Sequence, residues 1–198
     1  MRIISGHARG RKLFTPGNSA GIRPTSDRAR EALFSILGQR VYNACVLDLY
    51  SGTGALGLEA WSRGAKEVLF VDNSFAALKL TTKNCELCNA GKSLSKDDPI
   101  HIFKHDLRRG ITILPEIIKN CAGVFDLLFL DPPYGKGLAE KTLGDIDAGE
   151  LCNSDSMIIA EEASGVNLPK SFPKQLLLQD QRRYGDTSFW FYTCKSTE

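Results

Sequence analysis

What this chain lacks narrows it first. No apolar run approaches the roughly 20 residues that a membrane helix needs, and the opening MRIISGHARGRK has no apolar core of the kind a signal peptide carries, so a cytoplasmic protein without a membrane partner is expected. The cysteines lack a framework. Cys45, Cys85, Cys88, Cys121, Cys152 and Cys194 are scattered, and several fall in apolar segments where reduced cysteine behaves as a small hydrophobe, which argues against disulfides. Cys85 and Cys88 do form one C-x-x-C, but a second pair is missing and the segment reads as helix, which favours packing over zinc or redox chemistry. No metal is expected. With 198 residues and 42% apolar content the chain is long enough for one full core and short for two, so a single domain with a small appendage is expected.

Charge is scarce only in the sum. The net charge is +2, yet residues 1–40 hold eight basic groups (Arg2, Arg9, Arg11, Lys12, Arg23, Arg28, Arg30, Arg40) against Asp27 and Glu31; that surplus of six leaves the remainder at −4. A local excess of this kind attracts a polyanion. In the same region Arg2 to Ser5 and Lys12 to Thr15 read as short strands around the Gly6 to Gly10 turn, a hairpin too small to stand alone. Thr25 or Ser26 then caps a helix in which Ala29, Leu33, Ile36 and Leu37 share one apolar face while Arg28 and Arg30 point away from it.

The stretch around which the rest is organised is FDLLFLDPPY, Phe125 to Tyr134. Apolar residues ending at an acid fit a buried parallel strand that delivers Asp131 to the carboxyl edge of a sheet, where open α/β folds bind their ligands. Pro132 and Pro133 stiffen the turn and leave only carbonyl acceptors on it, and Tyr134 adds an aromatic face. An acid, rigid acceptors and a ring suit a flat group with an exocyclic amine, such as a nucleobase. The run resembles the amino-group methyltransferases that use S-adenosylmethionine and carry (Asp/Asn)-Pro-Pro-(Tyr/Phe) after their fourth strand.

Upstream, Cys45 to Tyr50 reads as a first strand, followed by Ser51-Gly52-Thr53-Gly54-Ala55-Leu56-Gly57 and a helix. Gly52 and Gly54 let backbone approach a ligand, and the helix N-terminus directs N–H groups at the same place. The spacing Gly52, Gly54, Gly57 also satisfies a dinucleotide fingerprint. Asp48 separates the two: an acid at this strand end repels a pyrophosphate and attracts the ammonium of a methionine moiety. Asp72, ending a second strand from Glu67 to Val71, is placed for two ribose hydroxyls, with Asn73 beside it; capping a helix from Ser74 to Asn89 is its other use, although Asn73 or Ser74 can serve there. Ile100 to Phe103 is a third strand. His101 and His105 read as structural and not as general bases. Residues 108–121 suit a helix interrupted at Pro115, and a further helix follows Gly135-Lys136-Gly137, where Lys136 either touches a phosphate or is simply solvated. Met157 to Glu161 is a fifth strand with Glu161 and Glu162 as a rim acid pair, and Gln175 to Arg183 with Ser188 to Cys194 form an antiparallel pair.

The runs RIISGHARGRKL and GIRPTSDRAREALFSIL, with the glycine loop, DPPY and the C-terminal strand pair, resemble the RsmD-type methyltransferases over nearly the whole chain. The resemblance implies a class I, Rossmann-like α/β fold with a doubly wound, seven-stranded, mostly parallel sheet. It implies residues 1–40 as an RNA-holding extension and 41–198 as the methyltransferase domain. The implied reaction is methylation of the N2 amine of one guanine in bacterial 16S ribosomal RNA, free or in the assembling small subunit, by a monomer; adenine-N6 methylation of DNA or RNA is the alternative. Asp131, Pro132, Pro133 and Tyr134 become the catalytic set. Asp48, Ser51, Gly52, Thr53, Gly54, Asp72 and Asn73 would hold S-adenosylmethionine, with Asp106 at the adenine amine and Leu107 beside the ring. Arg9, Arg11, Arg23 and Arg28 are the implied RNA contacts.

Overall fold

The structure, a computed structural model, describes residues 1–15, 27–90, 99–111 and 124–195. The chain divides into two compact units, Met1–His105 and Asp106–Glu198. Among the described residues no helix is long and apolar enough to cross a membrane.

In the first unit, helix α1 (Asp27–Leu37) buries Ala29, Arg30, Leu33, Phe34 and Leu37. Two expectations fail here. Ile36 is exposed and Phe34 takes its place, because the stripe follows i, i+4, i+8 through Ala29, Leu33 and Leu37 and widens toward Arg30 and Phe34. Arg30 is fully buried; its guanidinium donates to the Arg2 carbonyl and to Asp27 Oδ1, the latter at 3.0 Å. Strands β1 (Cys45–Leu49), β2 (Glu67–Asp72) and β3 (Ile100–Lys104) are parallel, with Leu47 opposite Leu69 and Val68 opposite Ile100. β1 is buried at every position, as a strand covered on both faces must be. It stops one residue before the expected end, since Tyr50 turns to φ +60°. Helices α2 (Ala55–Ser62) and α3 (Phe75–Cys88) make the crossovers. Cys85 and Cys88 lie on the buried side of α3, where burial raises their thiols to about 12 and about 11 and keeps them neutral.

The expected N-terminal hairpin is reduced to a single antiparallel bridge, Arg2 to Lys12, because its pairing capacity goes to α2 and α3 instead. Buried Glu59 accepts the Ile4 and Ser5 N–H groups at 2.7 and 3.0 Å. Ser62 accepts the Ala8 N–H at its hydroxyl and the His7 N–H at its carbonyl, both at 2.9 Å. Asn84 accepts the Phe14 N–H at 2.7 Å and donates to the Phe14 carbonyl at 3.0 Å. Gly6 is required where this arm crosses the end of α2: at φ +80°, an added Cβ would lie 1.7 Å from the Ser62 carbonyl oxygen.

In the second unit, β4 (Leu127–Leu130) is parallel to β5 (Met157–Ala163), pairing Leu127 with Met157. Helix α4 (Leu138–Ala148) connects them. β7 (Thr187–Cys194) runs antiparallel to β5 and to the edge strand β6 (Leu176–Tyr184), whose register shifts between Leu178 and Asp180. Buried Asp147 near the end of α4 accepts the N–H groups of Lys174, Gln175 and Leu176 at 2.7 to 2.9 Å, tying the helix to the start of β6. Leu107–Arg109 form a short 3-10 turn where a helix over 108–121 was expected, and positions 112–121 lie outside the described residues, as do the Thr25 and Ser26 caps. All seven expected strands are present and mostly parallel, in the order β3-β2-β1 in the first unit and β4-β5-β7-β6 in the second.

Candidate active site

In the first unit the glycine loop leaves β1 through Tyr50 and enters α2 at Gly54, with φ +54° at Gly52 and +75° at Gly54. Side chains from β2 and α3 hold it. Asp72 Oδ2 accepts the Gly52 N–H at 3.0 Å, Thr81 donates to the Gly52 carbonyl at 3.0 Å, and Asn84 donates to the Thr53 carbonyl at 2.9 Å. Thr81 and Asn84 were not anticipated; a Thr and an Asn buried on an otherwise apolar helix face were the only signal available.

Asp48 is buried and accepts the Gly57 N–H at Oδ2, 2.9 Å away, so it completes the first turn of α2 from the end of β1. Burial raises its carboxyl to about 8, against the lowering effect of the Gly57 bond. Gly57 itself has no room for a side chain: a Cβ would come within 2.4 Å of the Phe70 ring and 2.8 Å of Val68. The third glycine of the fingerprint thus serves helix-to-sheet packing, which either nucleotide reading requires.

Asp72 does not cap α3; Ser74 does, accepting the Ala77 N–H at 3.3 Å, while Asp72 Oδ1 accepts the Ser74 N–H at 2.8 Å. Asn73 beside it is exposed. S-adenosylmethionine fits this half-site on three observations. The Ser51 hydroxyl is buried with no hydrogen-bond partner among the described residues. The backbone at Gly52 is open, a Cβ there meeting nothing nearer than the Tyr50 oxygen at 3.8 Å. Each Asp72 oxygen accepts one backbone N–H, which leaves lone pairs for hydroxyl donors.

In the second unit Asp106 caps the turn at Leu107 and is gripped by Arg108 at 2.8 and 2.7 Å; these bonds hold its carboxyl down at about 2. Leu107 is buried. The Asp-Pro-Pro-Tyr segment follows β4 directly, with Asp131 half-buried, Pro132 buried and Pro133 exposed. Its outer end is held from β5 and β7. The Tyr134 hydroxyl donates to Glu161 Oε1 at 2.5 Å and lies 3.2 Å from Thr187 Oγ1, while Glu162 Oε1 accepts the Gly135 N–H at 3.0 Å. Burial, reinforced by the Glu161 charge, pushes the Tyr134 phenol far up, so it remains a donor. Glu161 and Glu162 are therefore not a rim pair: both are about 1% exposed and both hold this loop.

Of the four basic candidates, Arg9 and Arg28 are exposed, Arg11 donates to the Leu87 carbonyl near the end of α3 at 2.5 Å, and Arg23 lies outside the described residues. Lys136 is exposed. His101 pairs with Glu67 at 2.7 Å beside β2, in keeping with a structural role.

Comparison with known proteins matches residues 1–193 to a family described as Conserved hypothetical protein 95. Ribosomal RNA small subunit methyltransferase D of Escherichia coli (strain K12) is 30% identical over 192 residues, covering 97% of this chain and 89% of that protein. Its namesake from Haemophilus influenzae is 31% identical, covering 97% and 93%. Among solved structures, the yhhF protein of Escherichia coli superimposes with a TM-score of 0.79 at 28% identity, over 100% of this chain and 99% of that one. With its class I methyltransferase sheet and a match along nearly its whole length, this chain belongs to the Conserved hypothetical protein 95 family, the family of the RsmD-type methyltransferases.

Proposed function

We propose that this protein methylates the exocyclic N2 amine of a specific guanine in bacterial 16S ribosomal RNA, using S-adenosylmethionine. The observation that carries the reading is the Asp131-Pro132-Pro133-Tyr134 loop at the end of β4, with its tyrosine ring held by its hydroxyl. The relatives named as small-subunit RNA methyltransferases support the substrate class. Finer points of the reading are that one chain without metal is the acting form and that it works in the cytoplasm, on free RNA or on the assembling subunit.

S-adenosylmethionine, when bound, supplies a methyl group activated by its sulfonium. Asp48 would face its ammonium, Ser51 to Gly54 its methionine portion, Asp72 and Asn73 its ribose, and Asp106 with Leu107 its adenine. The amine is a poor nucleophile because its lone pair is delocalised into the base, so positioning carries most of the catalysis. Asp131 and the Pro132 carbonyl accept the amine hydrogens, orient the lone pair, and stabilise the positive charge that grows on nitrogen. Once the amine is methylated, Asp131 or water would take its surplus proton. Tyr134 offers its face to a base drawn out of its stack. Arg9, Arg11, Arg23 and Arg28 would contact RNA phosphates.

Purified protein incubated with labelled S-adenosylmethionine and either deproteinised 16S RNA or small subunits lacking the modification tests this, with the product nucleoside identified by mass spectrometry. N2-methylguanosine at a single site is expected. N6-methyladenosine, or modification of DNA alone, would overturn the substrate assignment. Near wild-type turnover by Asp131→Ala, with cofactor binding unchanged, would overturn the catalytic one.

A further inference from the structure

Glu161 and Glu162 are consecutive on β5, so their side chains leave the sheet on opposite faces. Both are buried, and both reach the same loop. Glu162 accepts backbone N–H groups, from Gly135 at 3.0 Å and Ala163 at 2.8 Å. Glu161 instead accepts a side-chain hydroxyl, that of Tyr134 at 2.5 Å, and Thr187 on β7 stands 3.2 Å from the same oxygen. The register explains the convergence: Glu161 pairs with Phe189 and Ala163 with Thr187, so Glu161 and Thr187 project from one face on neighbouring rows. A carboxylate is costly to bury unless it is hydrogen-bonded, and an apolar residue in its place would fill β5 without that cost. Tyr134 is half-buried, and the carboxylate fixes the hydroxyl end of its ring.

We propose that Glu161 is a positioning residue for the substrate base: through the Tyr134 hydroxyl, with Thr187 as the second support, it sets the plane on which the target nucleobase stacks. The inference rests on the methyl-transfer reading above. Its consequence is that the Tyr134 hydroxyl is engaged by the protein and takes no part in proton transfer, while the ring is held in one orientation before RNA arrives. Stacking on a pre-set ring brings the amine into line with the methyl group, and a small misplacement there falls mainly on turnover.

The test compares Glu161→Gln, Tyr134→Phe, the double variant and Thr187→Val, the last nearly isosteric and in reserve against misfolding. The readouts are kcat and KM on 16S RNA or small subunits, and the Kd for S-adenosylhomocysteine by calorimetry. Glu161→Gln and Tyr134→Phe are each expected to lower kcat about tenfold with the Kd changed less than about twofold, Thr187→Val to lower it less, and the double variant to be no worse than the weaker single. Wild-type kinetics in Glu161→Gln, or a double-variant loss equal to the product of the two singles, would overturn the proposal while leaving methyl transfer intact. If the unmodified protein transferred no methyl group to any RNA, the function proposed above would fall, and this role with it.

Discussion

Glu59 Oε2 accepts the backbone N–H of Ile4 at 2.7 Å, across 55 positions of sequence. One buried side chain on α2 thereby fastens the arm that carries much of the N-terminal positive charge, and its second oxygen holds both Ser5 and Arg63. An isolated hairpin of this length would be marginal, so the arm depends on such anchors.

Replacing Glu59 with Leu should therefore leave the Ile4 and Ser5 N–H groups without acceptors at a cost of about 2 kcal/mol. Chemical denaturation reads the loss. Limited trypsin digestion should cut near Arg9, Arg11 and Lys12 much faster than in the unmodified protein, and unchanged cleavage would show that Glu59 does not fasten the arm.

Asp48 gives a pH dependence with a definite sign. Its carboxyl, raised to about 8 by burial, is mostly protonated at neutral pH in the free protein. An ammonium partner favours the ionised form, so affinity for S-adenosylhomocysteine should rise from pH 6 to pH 8, and binding at pH 7 should release close to one proton. Calorimetry in buffers of different ionisation enthalpy measures that proton. Asp48→Asn should abolish the dependence, and no release in the unmodified protein would refute the ammonium assignment.

Asp147 works in the opposite direction. Burial favours its neutral form, but the N–H groups of Gln175, Leu176 and Lys174 outweigh that and hold the carboxyl below its ordinary range. Stability from a depressed acid is fully present above its unfolded value of about 4 and is lost as pH falls through the folded value. Asp147→Asn should cost about 2 kcal/mol at pH 7, since one amide oxygen cannot serve three donors. The variant should also lose less stability than the unmodified protein between pH 4 and pH 2. Parallel acid-denaturation curves would refute the assignment.

How much could be read in advance followed a physical rule. Strands covered on both faces, such as β1 and β4, announce themselves as apolar runs, and Gly52, Gly54 and Gly57 mark the passage from β1 into α2, where the first two take positive φ and the third packs on Phe70. Arg30 was misread because helical periodicity assigns an arginine to solvent unless a partner from elsewhere is known, and its partners include the Arg2 carbonyl, 28 residues away. Glu161 and Glu162 were misread for the same reason: two adjacent acids at a strand end look like a solvated rim until the loop that needs them is placed on both faces.

By itself the sequence determined the seven strands, the acid-ended strand with its proline pair, and the glycine turn, since each depends on local periodicity or backbone preference. Tertiary structure alone decided which polar side chains are buried and what they hold: Glu59 and Asn84 on the N-terminal arm, Asp48 at the first turn of α2, Asp147 on the start of β6, and Glu161 on Tyr134. A buried polar group is defined by its partner, and these partners come from segments that meet only when the chain has folded.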